Sequence, residues 1–65
     1  MSYDAMYDTL DDLRYELRGE IHDLREIFNE KPHDEELAER IEWLEDACYH
    51  VSEAIDAMNG AIRVS

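Results

Sequence analysis

Acidic side chains recur at every fourth position near the start of the chain, a spacing that places them on one side of a helix. The clearest series is Asp4, Asp8, Asp12, Glu16 and Glu20. Like charges four residues apart oppose helix formation by roughly 0.2–0.5 kcal/mol per pair, so a stable helix must offset this repulsion elsewhere. Rows of carboxylates bind metal cations, or the arginines and lysines of a basic protein surface. The acidic row is therefore the first candidate for a functional surface.

Histidines are the other side chains that could ligate a metal or transfer a proton. His22 precedes Glu26 by four residues and Asp46 precedes His50 by four, so each pair shares a helix face. Metal sites inside helical bundles need carboxylates and histidines that point inward, whereas the predicted inward positions of this chain are apolar. We expect no metal ion, no cofactor and no catalytic residue, and therefore a protein that is not an enzyme.

The composition favours one small folded domain with an acidic surface. The 65 residues include 18 Asp and Glu against 6 Lys and Arg, which gives a net charge of −12, and 45% of the residues are apolar. This charge repels nucleic-acid phosphates and anionic membranes, so we expect neither as a direct partner. The single cysteine, Cys48, excludes an intrachain disulfide, and the first residues do not form a signal peptide. We therefore expect a cytoplasmic protein.

Two long helices account for the apolar residues. Apolar residues recur at steps of three and four from Met6 to Phe28 and again from Leu37 to Ile62, which is helical periodicity. Pro32 interrupts the pattern because it lacks the N–H that a helix interior needs. The predicted elements are helix 1 at about residues 2–29, a turn at about 30–33, helix 2 at about 34–59 with Asn59-Gly60 as its stop signal, and a short tail at 60–65.

The short turn makes the two helices antiparallel neighbours. The expected fold class is therefore all-α, with an antiparallel two-helix hairpin. A domain this small is marginal alone, and oligomerisation is one of the usual supports. Helix 2 carries a second strip beside its apolar seam, and we expect this strip to join two copies into a homodimeric four-helix bundle. The expected interface residues are Trp43, Ala47, His50 and Ala54.

Two acidic motifs on helix 2 raise an enzymatic alternative. Glu35-Glu36-Leu37-Ala38-Glu39 and Glu53-Ala54-Ile55-Asp56 resemble the acidic motif pair of the MazG-like all-α nucleotide pyrophosphatases. The resemblance implies carboxylates that hold Mg²⁺, with the second motif on a different helix that faces the first. In this chain no turn signal separates the two motifs, so both are expected on one helix. Because of the motif resemblance, a fragment of a Mg²⁺-dependent nucleotide pyrophosphatase is nevertheless the third of our functional hypotheses.

Three arginines of helix 1, Arg14, Arg18 and Arg25, fall on one flank of that helix. They could pair with acids of helix 2 or form a small RNA-binding strip. In form, the hairpin resembles the Rop family of plasmid regulators, which are two-helix hairpins of similar length that dimerise into a four-helix bundle. That resemblance implies RNA binding through basic and amide residues on helix 1. The outer face of helix 1 is acidic here, so we do not expect RNA binding.

The outer faces of both helices favour a binding protein. Carboxylates four residues apart are separated by about 6 Å along a helix axis, which is comparable to the separation of phosphates along a nucleic-acid strand. We expect these acids, together with Tyr15, to occlude the basic, nucleic-acid-binding surface of a partner protein. The expected partner-binding residues are Asp8, Asp12, Tyr15, Glu16, Asp23, Glu26, Glu35, Glu39, Glu42, Asp46 and Glu53.

In size, acidity and helical make-up, the chain resembles phage-encoded acidic inhibitors of host defence, including anti-CRISPR and anti-restriction proteins. The resemblance implies a protein target in the host cytoplasm, such as the positively charged nucleic-acid channel of a CRISPR effector. The main alternative is a dimeric helical interaction or regulatory module. In that case Trp43 and its alanine strip bind a partner helix, and the acidic residues only keep the protein soluble.

Overall fold

A computed structural model describes residues 2–64, which form two long helices joined by a tight turn. Helix α1 comprises Tyr3–Glu30 and helix α2 comprises Glu35–Val64. The helices pack antiparallel into a rod whose Cα atoms extend over 49 × 14 × 14 Å. The all-α hairpin predicted from the apolar periodicity is confirmed. Neither helix, within these residues, is long and apolar enough to cross a membrane.

The turn is held by backbone hydrogen bonds and by one side-chain cap. The Lys31 N–H donates to the carbonyls of Ile27 at 3.1 Å and Phe28 at 3.0 Å, which closes α1. The Leu37 N–H donates to Oδ1 of Asp34 at 3.0 Å. Asp34 is thus the N-cap of α2, and a cap of this kind contributes about 1 kcal/mol to stability. The helix ends at this turn lie within one residue of the predicted positions.

Helix α2 continues to Val64 and does not stop at Asn59-Gly60, so the prediction of a tail from residue 60 was wrong for residues 60–64. Residue 65 lies outside the described part of the chain. Gly60 does not adopt the left-handed conformation that ends many helices. A glycine inside a helix costs only about 1 kcal/mol relative to alanine. The half-buried Met58 and Ile62 offset this cost because they continue the apolar seam.

The core lies along the line where the two helices meet. Its buried residues are Ile21, Leu24, Leu37, Ile41 and Ile55. Three of them form a cluster near the turn, against which the half-buried Phe28 and Leu44 pack. No side chain in the described chain is less than 2% exposed. A single hairpin therefore encloses its core only in part.

Gly19, in the middle of α1, offers a stabilising substitution. A Cβ atom added at this position would meet no atom within 4 Å. We expect Gly19→Ala to raise the free energy of unfolding by about 0.5–1 kcal/mol, because alanine favours the helix and restricts the unfolded chain. Urea unfolding followed by circular dichroism measures the change. Gly60→Ala is the matched control and should gain less, because helix ends fray. A loss of stability on Gly19→Ala would contradict the continuous helical backbone of α1 at this position.

Candidate functional site

The residues predicted to bind a partner all lie at exposed positions of the two helices. We call Asp8, Asp12, Tyr15, Glu16, Asp23 and Glu26 the α1 row, and Glu35, Glu39, Glu42, Asp46 and Glu53 the α2 row. Core residues occupy the opposite side of each helix, so each row points away from the neighbouring helix. The two rows therefore form opposite edges of the rod and not one continuous surface.

Each row is long enough to span several nucleotides. The α1 row runs from Asp8 to Glu26 and the α2 row from Glu35 to Glu53, which is about 27 Å in each case at 1.5 Å per residue. At about 3.4 Å per phosphate along one strand, this length corresponds to roughly eight phosphates of a duplex. Tyr15 is 80% exposed within the α1 row. Its ring is therefore available for contact with a partner.

The arginine ion pairs of the described chain use acids that lie outside the rows. These pairs are Arg14 with Asp11 at 2.7 Å, Arg40 with Glu36 at 3.8 Å, and Arg25 with Glu45 across the two helices. Within residues 2–64, no carboxylate of either row pairs with an arginine or a lysine. Three acids outside the rows thus pair with three of the five arginines, while the carboxylates of the rows face solvent.

Histidines contact the rows at several points. His22 Nε2 lies 3.1 Å from Oε1 of Glu26 in the α1 row. His50 lies 3.5 Å from Asp46 and 3.2 Å from Glu53 in the α2 row. His50 thus contacts the α2 row while it lies seven residues after Trp43, on the same side of α2 as the other residues predicted for a dimer interface.

One group of side chains has the composition of a metal site. His22, Asp23 and Glu26 offer ligand atoms that lie within 4.8 Å of one another. All three side chains are exposed, and the group contains no residue of α2. Groups on one exposed helical turn stay hydrated, and metal sites of helical bundles instead draw ligands from several facing helices. We assign no metal ion to this group.

The two acidic motifs that resemble a nucleotide pyrophosphatase do not converge within one hairpin. Helix α2 is continuous through both motifs, so Glu39 and Glu53 lie about 21 Å apart along its axis. A Mg²⁺ ion binds its ligands at about 2.0–2.1 Å. One ion therefore cannot bridge the two motifs in a single copy of the chain.

Between its two acidic edges, the rod has two faces, of which the first carries arginines of α1. It contains a groove of about 380 Å³ whose lining includes Arg18, His22 and Arg25 of α1, and Glu45 and Tyr49 of α2. We call this the arginine face. The ion pair between Arg25 and Glu45 crosses it and joins the two helices. Of the three arginines that the sequence placed on this flank, one thus pairs across the hairpin.

The opposite face carries several exposed apolar side chains beside the ion pair of Arg40 with Glu36, and we call it the tryptophan face. Its apolar residues are Leu13, Ile27, Trp43, Ala47 and Ala54. Trp43 is 67% exposed, Ile27 45% and Leu13 41%, and the two alanines are half-buried. Ile27 and Trp43 line adjoining grooves of about 290 and 320 Å³, while Leu13 lies nearly four helical turns before Ile27 on the same side of α1. The sequence predicted only the α2 half of this face.

Repulsion within the rows should make the hairpin more stable in salt. The Debye length falls from about 30 Å at 0.01 M salt to about 3 Å at 1 M, which screens exposed like charges. We expect the melting temperature to rise by roughly 5 °C over this range, since relief of about 1 kcal/mol shifts a domain of this size by that amount. Thermal unfolding followed by circular dichroism measures the shift. The double variant Asp8→Asn, Asp12→Asn should respond less, and an unchanged melting temperature would mean that the repulsion is negligible.

Comparisons of this chain with protein-family models, with curated proteins and with solved structures give no match. The resemblances to acidic phage inhibitors and to the Rop family therefore stay hypotheses.

Proposed function

We propose that this protein is a small acidic binding protein that occludes a basic, nucleic-acid-binding surface of a partner protein. The observation that supports the proposal best is that both rows are exposed and, in the described chain, unpaired with arginine or lysine. Carboxylates of the rows would accept hydrogen bonds from the arginines and lysines that otherwise hold phosphates. The partner class is a nucleic-acid-binding protein or complex, such as a CRISPR effector inhibited by a phage protein.

Charge would make this association fast and sensitive to salt. The chain carries a net charge of −12 over 65 residues. Complementary charge raises association rate constants to about 10⁸–10⁹ M⁻¹s⁻¹ at low salt, against about 10⁵–10⁶ M⁻¹s⁻¹ for a neutral pair. Exposed charge pairs add little affinity by themselves, so the exposed ring of Tyr15 is the expected apolar contact. Binding to the basic partner should therefore weaken as the salt concentration rises.

Capture from a bacterial lysate tests the proposal. Tagged protein is incubated with lysate in parallel samples, with and without excess duplex DNA as competitor. We expect a nucleic-acid-binding protein to be retained in the first sample and lost in the second. A retained partner that DNA does not displace would contradict occlusion, because its binding site would not coincide with a phosphate-binding surface.

The exposed tryptophan face favours a second candidate, a dimeric helical interaction module. Trp43 is 67% exposed, and exposed aromatic residues of this kind often anchor interfaces. In this reading the chain is a homodimer that forms a four-helix bundle, and the acids keep it soluble. Trp43→Ala separates the candidates: it should weaken dimerisation or the binding of a partner helix, and it should leave occlusion by a single hairpin unchanged.

A further inference from the structure

We infer that a second copy of this chain covers the tryptophan face, and that both helices contribute to the interface. The inference rests on the homodimer proposed above and specifies the surface that forms it. The sequence pointed to a strip on helix 2 alone. The structure adds Leu13 and Ile27 of α1, which are exposed on the same side of the rod as Trp43.

The single hairpin exposes more surface than a compact protein of its mass. Its accessible surface is 5164 Å² for a mass of 7.7 kDa. A compact monomer of this mass exposes about 4,300 Å². The difference is about 800 Å², which is the area that one partner contributes to a stable interface of standard size. Burial of one interface of standard size would therefore reduce the exposed surface of each chain to that of a compact monomer of the same mass.

The core of a single hairpin also needs additional packing contacts that exclude solvent. Only five residues of the described chain are buried, and none is less than 2% exposed. Chains of this size usually need a disulfide, a metal or another copy to supplement such a core. Cys48 is a free thiol, so a disulfide within the chain is excluded. A second hairpin packed on the first would supply the missing contacts in the manner of a four-helix bundle.

The tryptophan face suits this role better than the arginine face. Interface centres are depleted of charged residues and enriched in aromatic ones. Each face carries one ion pair: Arg25 with Glu45 on the arginine face, where Arg18 and His22 lie beside it, and Arg40 with Glu36 near the turn on the tryptophan face. The aromatic residue and the neighbouring small side chains therefore decide between the two faces. On the tryptophan face, the large Trp43 is followed on the same side of α2 by small side chains. Alanines at such positions let two helices approach closely, and both acidic rows would stay at the edges of the bundle.

Salt separates this interface from the binding of a basic partner. Two copies of the chain each carry a charge of −12, so they repel one another at low ionic strength. Screening removes this repulsion, and an apolar interface should therefore tighten as NaCl is raised. Occlusion of a basic surface should weaken under the same change. The two proposals thus predict opposite salt dependences and can fail independently.

Sedimentation equilibrium of the full chain at micromolar concentration tests the inference. Each variant adds one negative charge at an exposed apolar position: Leu13→Glu, Ile27→Glu, Trp43→Glu and, as the matched control on the arginine face, Tyr49→Glu. We expect the native chain and Tyr49→Glu to sediment at twice 7.7 kDa. The other three variants should dimerise at least tenfold more weakly. The emission of Trp43, the only tryptophan, should shift to longer wavelength as the native dimer is diluted.

Three other sedimentation results would each contradict a specific part of the inference. A native chain that sediments at 7.7 kDa would overturn the homodimer and this interface together. A native dimer that survives Leu13→Glu and Ile27→Glu would leave the homodimer intact and overturn the contribution of α1. Dissociation by Tyr49→Glu alone would overturn the choice of face. Circular dichroism of every variant checks that the helices are retained, which we expect because all four positions are 41% to 67% exposed.

Discussion

Replacing Asp12 and Glu16 of the α1 row and Glu39 and Glu42 of the α2 row with arginine should abolish capture of the basic partner. Each reversal changes the charge by +2, so four reversals change the net charge from −12 to −4. Loss of electrostatic steering alone should lower the association rate constant by roughly 100-fold or more. Arginines placed against the arginines and lysines of the partner add direct repulsion. Surface plasmon resonance with the partner recovered from the lysate measures the loss.

The helices should survive these substitutions. All four side chains are exposed, and none of them takes part in the arginine ion pairs that flank the rows. Fewer like charges at four-residue spacing should also reduce repulsion along each helix. Unchanged circular dichroism, with a melting temperature equal to or above that of the native chain, is the required control. Unchanged partner capture in a folded variant would contradict occlusion by the rows.

Reversing one row at a time distinguishes two shapes of partner. The α1-row pair and the α2-row pair, each reversed alone, give the same net charge of −8, from −12 with two changes of +2. Because the rows are opposite edges of the rod, a flat basic surface contacts one row and a channel contacts both. The control Asp4→Arg, Asp56→Arg also has a charge of −8. Neither residue is among the predicted partner-binding residues, and Asp4 precedes the α1 row by one helical turn. Equal loss in the control would mean that only the net charge matters.

Much of this structure follows from the spacing of apolar residues along the chain. Steps of three and four define one apolar stripe on each helix, and the single interruption at Pro32 is too short for any arrangement but a hairpin. The same periodicity places the acids of both rows on the solvent side, where the structure has them. These features are local, so the sequence is sufficient to predict them.

The features that the sequence did not predict depend on how the two helices meet. Leu13 belongs to the apolar stripe of α1 yet is 41% exposed, while Tyr7 and Arg14 are half-buried. The contact line is thus rotated toward the arginine flank, and the angle at which two helices pack is not fixed by either stripe alone. The stop signal at Gly60 failed for a related reason, because packing of Ile62 outweighs a weak local preference.

Truncation of the core should have the largest effect on stability. Ile55 is 2% exposed, the lowest value in the described core, and it lies outside the cluster that Leu24, Leu37 and Ile41 form near the turn. Removing a buried isoleucine side chain down to alanine costs about 2–5 kcal/mol. A chain of 65 residues has a total stability of roughly 3–10 kcal/mol. Ile55→Ala should therefore remove a large share of the stability of the fold.

We expect the melting temperature of Ile55→Ala to fall by more than about 10 °C, since 1 kcal/mol shifts a domain of this size by about 4–8 °C. Val64→Ala is the control: Val64 is 88% exposed, and such substitutions change stability by less than about 0.5 kcal/mol. Equal melting temperatures for the two variants would contradict the packing described for the half of the rod away from the turn. Ile55→Ala should reduce helicity, dimerisation and partner capture together, whereas reversal of the rows should remove partner capture alone. That contrast assigns partner binding to the acidic edges and stability to the seam between the helices.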